Sequence, residues 1–419
     1  MGLEDAGWPF DDFDSALANL LDSLPSRPRL LALGEPTHLE EAFPRLRNRM
    51  LRYLVEHEGY RCVAIESDCV AGLLVDDYVT GGAGSLDDVL RRGFSHRVGE
   101  YEATRELLIW LRDFNRNHPF ADRVRFAGFD APLEMISAAS PRETLTELHR
   151  YLAAHLDAAV LPCPIEEIDR LIGDDALWTA TEAMMDPAKS LGGSAEVARL
   201  RLIADDMRAL LLAESPRLIS ATSRELWHRA ALHARTAAGL LRYHAGLADT
   251  SPRRIPRLMG LRDAMMAENL AALPYRTLVF AHNSHLQRRL SVWELAGQRL
   301  EWWSAGAIMS AQIGDEYAFV ALAVGSAPRH GVAAPAEDTF EGVLSTLPGD
   351  AYFFDSRRLA DVLDGKILAL RKGTASYFPF DPEHLRDTDG IAFLKQVADQ
   401  NGAGSGIGAG SAIGSGSVS

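Results

Sequence analysis

Cysteine is scarce in this chain, with three in 419 residues: Cys62, Cys69 and Cys163. They cannot all pair with one another, and no C-x-x-C spacing offers a zinc site, so a reduced, cytoplasmic protein is expected. Long apolar runs are also missing. None approaches the ~18 residues that cross a bilayer. The first residues include Glu4, Asp5, Asp11, Asp12 and Asp14, the reverse of a positively charged secretory signal. Basic charge is outweighed, 43 Lys and Arg against 58 Asp and Glu, for a net charge of −15. That balance argues against a nucleic-acid surface. No G-x-S-x-G nucleophile elbow, no H-E-x-x-H and no phosphate-binding P-loop is present.

What the chain does have is an ordinary globular composition, 47% hydrophobic, at a length that suits roughly two structural units of about 150 residues. Short apolar segments at 29–35, 62–68, 124–130, 277–283, 317–324 and 351–355 stop abruptly at polar or small residues. Such runs suit strands buried on both faces, hence a largely parallel sheet. Phe43, Leu46, Met50, Leu51, Leu54 and Val55 recur at helical spacing after the first strand, and a helical stretch at 101–114 precedes the third. Strands are lost between about 141 and 273, where the sequence is rich in Ala, Leu and Arg. The fold class expected is α/β: a largely parallel sheet flanked by helices, with an inserted all-α helical bundle. The boundaries read as an α/β domain over 1–140 and 274–400, a helical insertion over 141–273, and a flexible Gly/Ser tail over 401–419.

In an open parallel sheet, ligands bind beyond the carboxyl ends of the strands. Those ends carry Glu35 with His38 close behind, Glu66, Asp130, and His282 followed by Asn283, Ser284 and His285. Each residue alone has a bland explanation, since an acid after a strand commonly caps a helix. Their coincidence at four strand ends points to one shared rim.

The chemistry implied is general acid–base work, because a histidine can take and return a proton near neutral pH. His38 is expected to take a proton from water or a substrate hydroxyl while Glu35 orients it. Arg47, nine residues on, could stabilise an oxyanion, although spacing alone reads as an exposed helix charge. His96, Arg262 and Asp263 are further candidates for substrate contact, with an exposed-loop alternative for the first and ion pairing for the other two. No cofactor is called for; a divalent metal held by Glu35, His38, Glu66, His282 and His285 is the open alternative. The expected partner is a small molecule, with no nucleic acid and no membrane, and the oligomeric state is not legible.

These stretches, Leu33-Gly34-Glu35-Pro36-Thr37-His38, Arg47, Ala64-Ile65-Glu66, Gly128-Phe129-Asp130-Ala131-Pro132 and Ala281-His282-Asn283-Ser284-His285, resemble the erythromycin esterase family. Weaker similarity runs through 262–269 and 305–317, so the likeness spans about 29–324. The resemblance implies a cleft between an α/β domain and an inserted bundle. It also implies ester hydrolysis by water that the histidine at position 38 activates, supported by Glu35, Arg47, Glu66, His282 and His285, and it raises Arg47 above an ordinary surface charge. Leu39-Glu40-Glu41 departs from the family, where many relatives have a small residue such as glycine after the histidine. Two other readings stay open: a biosynthetic tailoring enzyme using the same acid–base pair, and a protein that binds a small molecule without turning it over.

Overall fold

The protein is described by a computed structural model covering residues 2–134, 136–295, 297–374 and 377–397, and the 401–419 segment lies outside the described residues. Twelve strands occur in chain order: β1 Gly7–Pro9, β2 Leu30–Glu35, β3 Cys62–Asp68, β4 Arg125–Asp130, β5 Leu133–Glu134, β6 Ser137–Ala138, β7 Thr277–His282, β8 Leu290–Leu295, β9 Gln298–Trp303, β10 Tyr317–Ser326, β11 Ala351–Asp355 and β12 Gly390–Gln396. Eight of them make one sheet in the order β1-β11-β12-β10-β2-β7-β3-β4. From β12 to β4 every pairing is parallel, while β11 and β1 add antiparallel partners at one edge.

Alternation along these strands divides two cores. Leu31, Leu33, Val63, Ile65, Leu278, Phe280, Val320 and Leu322 face one side. Leu30, Ala32, Ala64, Val279, Ala281, Phe319 and Ala321 face the other. Both faces are therefore covered, which is why β2, β7 and β10 read as unbroken apolar runs. The helix Ala42–His57 lays Phe43, Leu46, Met50, Leu51, Leu54 and Val55 on the first core, as its periodicity predicts. The helices Arg254–Ala271 and Ala305–Ile313 cover the second.

Between β4 and β7 the chain is helical apart from the two-residue strands β5 and β6. Its longest members, Ala195–Ala213 and Arg224–Leu247, pack with Arg142–His155 around a separate apolar cluster that includes Leu145, Leu148, Leu200, Met207 and Leu241. Among the described residues no helix is long and apolar enough to cross a membrane.

The chain places β7 between β2 and β3, and β10 on the other flank of β2. Strand order thus reverses around β2 and β7, and the crevice beyond their carboxyl ends is the natural ligand position of such a sheet.

Candidate active site

The last residues of β2 and β7, Glu35 and His282, are register partners. Gly34 permits the approach, since a Cβ there would come within 2.2 Å of Asn283 Oδ1 and 3.1 Å of its Cα. β3 loses regular pairing with β4 after Ile65, and the irregularity leaves Glu66 free to point along the sheet. Its Oε2 accepts a hydrogen bond from the His282 backbone N–H at 2.8 Å. Helix capping is left to Asp68, whose Oδ1 accepts from Val70 N and Ala71 N. Glu66 is thus no cap.

Around this seam the predicted residues converge. His38 Nδ1 lies 2.7 Å from Glu35 Oε1. Arg262 from the helix Arg254–Ala271 grips Asp130 with Nε and Nη2 and reaches Glu66 Oε1 at 3.1 Å. His285 stands between Asp263 (2.9 Å) and Glu66 (3.4 Å). His96 stands between Asp130 and Glu134, each at 3.0 Å. A pocket lined by Glu35, His38, Arg47, Glu66, His96 and Tyr101 lies among them.

Arg47 departs from the reading that spacing alone suggests. It is 1% exposed instead of standing in solvent. Its helix turns it inward, where Nε and Nη2 donate to Asn48 Oδ1 and the guanidinium lies 5.1 Å over the Phe280 ring. Among the described residues no carboxylate closes on it within ion-pair distance. Burial pulls its pKa down to about 10. His96 departs from its exposed-loop reading in the same way, because two carboxylates hold it.

The four histidines differ sharply in electrostatic setting. For His285, burial opposes the charged form, but Asp263 and Glu66 override it and raise the pKa. His96 follows the same rule, with burial outweighed by Asp130 and Glu134, and rises to about 10. His282 is the opposite case. Burial, then the charge of His38, pushes it down to about 3. Its Nδ1 accepts from Ser284 Oγ at 2.7 Å and it also bonds the Pro36 backbone, where only a carbonyl is available. Both nitrogens are engaged and the ring is neutral. His38 alone keeps half of its side-chain surface open. Desolvation pulls its pKa down, yet Glu66 and Glu35 hold it above the ordinary imidazole value. Glu35 itself is raised, chiefly by burial, and its Oε2 is buried without a hydrogen-bond partner. Glu66 goes the other way: burial would raise it, but His285, His38 and Arg262 keep it well below the usual carboxylate range.

Of two supporting residues, Asp263 was read from the sequence only as a substrate contact or an ion-pair partner, and Tyr101 escaped that reading. Asp263 accepts from His285, from Trp302 Nε1 at 2.8 Å and from Ala305 N at 2.8 Å. Tyr101 Oη accepts from Leu39 N at 2.5 Å. Leu39, His96 and Arg97, all beside the pocket, have positive φ (63°, 54° and 62°). A glycine at position 39 would meet this backbone without strain; leucine does not. No spacing signal marks Asp263 or Tyr101, because each acts across the fold. Among the described residues no three His, Cys, Asp or Glu side chains are gathered in a way that would hold a metal ion.

The profile of the erythromycin esterase family matches residues 55–397. The chain belongs to the erythromycin esterase family. The match takes in Glu66, Asp130, His282 and His285 and begins after Glu35, His38 and Arg47. Two curated relatives from Escherichia coli are similar over shorter stretches. Erythromycin esterase type II is 28% identical over 123 residues, 29% of this chain and 27% of that protein. Erythromycin esterase type I is 24% identical over 139 residues, 33% of this chain and 30% of that protein. The aligned stretch therefore spans less than a third of either esterase. Solved structures extend the likeness in fold. A Bacillus cereus protein superposes with TM-score 0.72 at 18% identity, over 94% of this chain and 96% of its own. A succinoglycan biosynthesis protein gives 0.69 at 16%, over 94% and 95%. An erythromycin esterase mutant in its open conformation gives 0.63 at 17%, over 93% and 94%.

Proposed function

We propose that this erythromycin esterase family member hydrolyses an ester or lactone of a natural-product-like small molecule, with His38 as general base. The observation that carries this reading is the inequality of the histidines. His96 and His285 are held between carboxylate pairs, His282 is neutral with both nitrogens engaged, and only His38 is half open to solvent with one nitrogen uncommitted.

In the proposed reaction, Glu35 takes the Nδ1 proton as a hydrogen bond and leaves Nε2 to act. Nε2 removes a proton from water, and the water oxygen attacks the carbonyl carbon. The carbonyl oxygen gains charge beside Arg47, a buried cation with no carboxylate of its own. As the C–O bond to the leaving alcohol breaks, His38 returns its proton to that oxygen, giving an acid and an alcohol. Arg262, already neutralised by Asp130 and Glu66, positions Glu66 and does not serve the oxyanion. No cofactor enters the proposed reaction, and activity surviving chelation tests that point. The proposed setting is the cytoplasm, supported by three buried free cysteines.

The test is a panel of esters and lactones run in ¹⁸O-water with wild type and His38→Gln. One labelled oxygen in the acid product, abolished by the substitution, is the result expected. Product without label would replace hydrolysis by the elimination or transfer of a tailoring enzyme. Binding without turnover of any compound would favour sequestration.

A further inference from the structure

Away from the His38 pocket, the helices Ala195–Ala213, Arg224–Leu247, Arg254–Ala271 and Ala305–Ile313 leave a groove of about 570 Å³ between them. Its volume falls within the roughly 300–1,000 Å³ typical of small-molecule sites. Much of the lining is apolar, from Trp227, Leu211, Ile308 and a row of alanines such as Ala231 and Ala264.

Against that apolar wall stand two guanidiniums, Arg208 and Arg235, with exposed Glu268 the one acidic residue of the lining. Among the described residues Arg208 has no hydrogen-bond or ion-pair partner. Arg235 spends only Nε, on Asn269 Oδ1 at 2.6 Å, and its two terminal nitrogens make no bond. Glu268 and, less strongly, Arg208 act on Arg235, so two guanidiniums and one carboxylate leave the lining with an uncompensated positive charge beside an apolar recess. A bound anion would relieve this, and an apolar body attached to it would fill the alanine-lined space.

We propose that this groove is a second small-molecule site, taking a carboxylate with an apolar body whose anionic end is held between Arg208 and Arg235. The groove is wired to the pocket rim. Asn269, which accepts from Arg235, donates Nδ2 to Phe129 O at 3.0 Å, and the next residue, Asp130, clamps His96 and Arg262.

Isothermal titration of the whole protein with dodecanoate, kept below micelle formation, tests the assignment. One saturable site per chain is expected. Arg208→Met, a surface change that leaves the fold untouched, should weaken it at least about tenfold, as should Arg235→Met, because each removes a charge-assisted contact. Ala231→Leu should abolish binding by filling the recess. His38→Gln should bind as wild type does, which separates the groove from the His38 pocket. The proposal fails if no saturable binding is found, if dodecyltrimethylammonium binds equally well, if the arginine variants bind unchanged, or if His38→Gln loses the site. It also fails if light scattering finds a concentration-dependent dimer that Ala231→Leu disrupts, since the groove would then be an interface between copies.

Discussion

The rings of His38 and His282 lie with centroids 5.2 Å apart, and their surroundings drive their protonation in opposite directions. The arrangement is economical. A neutral His282 adds no positive charge beside His38, whose charged form Glu66 and Glu35 favour.

Removing the proposed base gives the first prediction. His38→Gln should lower kcat by about 10²–10⁴, the range for a general base, with little change in melting temperature because the side chain is half exposed. Circular dichroism and steady-state kinetics measure the two. Wild-type turnover in the variant would overturn the assignment.

A pH profile follows from the same ring. His38 must be neutral to accept a proton, and its pKa is raised by Glu66 and Glu35 against desolvation. The acid limb of kcat/KM should therefore have its midpoint above the ordinary imidazole value of about 6.5, with activity rising as pH rises through it. A midpoint below 6 would contradict this.

His282 makes a prediction about stability. Its folded pKa of about 3 lies below the unfolded value near 6.5, so folding favours the neutral ring. That contribution is fully present above 6.5 and is lost as pH falls from there toward 3. Urea unfolding at pH 7 and pH 4 should reveal a smaller loss of stability for His282→Asn than for wild type; equal losses would contradict it.

Arg47 separates charge from packing. Arg47→Met keeps most of the volume over Phe280 and removes an unpaired buried cation, so the fold should survive. kcat should drop by about 10²–10³, the scale for losing an oxyanion partner. Arg47→Lys should recover little, because an ammonium lacks the planar fork. Unchanged kcat in Arg47→Met would exclude the proposed role.

Leu39 tests the strained backbone. At φ 63° a glycine should relieve about 1 kcal/mol or more, raising the melting temperature by a few degrees unless the lost side-chain packing offsets it. Leu39→Val should lower it, since a β-branched residue tolerates positive φ poorly. Valine as stable as leucine would mean the conformation is not sterically costly.

Much of this was legible in the chain itself. Strands buried on both faces announce themselves as unbroken apolar runs, so β2, β3, β4, β7, β10 and β11 and the helix over Ala42–His57 were within reach. β12 ends in Lys395 and Gln396, and β1 is a three-residue edge containing Pro9, so neither carries that signature. The β8–β9 hairpin mixes polar and apolar residues, with no unbroken apolar run, on a partly exposed ribbon. Glu35, Glu66, Asp130 and His282 could be read because strand ends in a parallel sheet share a rim. Arg47 could not be placed by spacing, since its burial depends on Phe280, from a strand far along the chain. Asp263 was named beside Arg262, but spacing could not give its role, its donors Trp302 and Ala305 lying some forty positions downstream.

The bond from the Leu39 amide to the Tyr101 hydroxyl, with those from Glu102 N and Ala103 N to the Glu41 carboxylate, has a wider consequence. It fastens the segment after His38 to a different part of the chain, while Glu35, Glu66 and His282 remain anchored in the sheet. New compounds could thus be admitted by remodelling that fastening, leaving the proton-handling groups where the strands put them. Diversity of diet and constancy of chemistry would then reside in separate pieces of the same molecule.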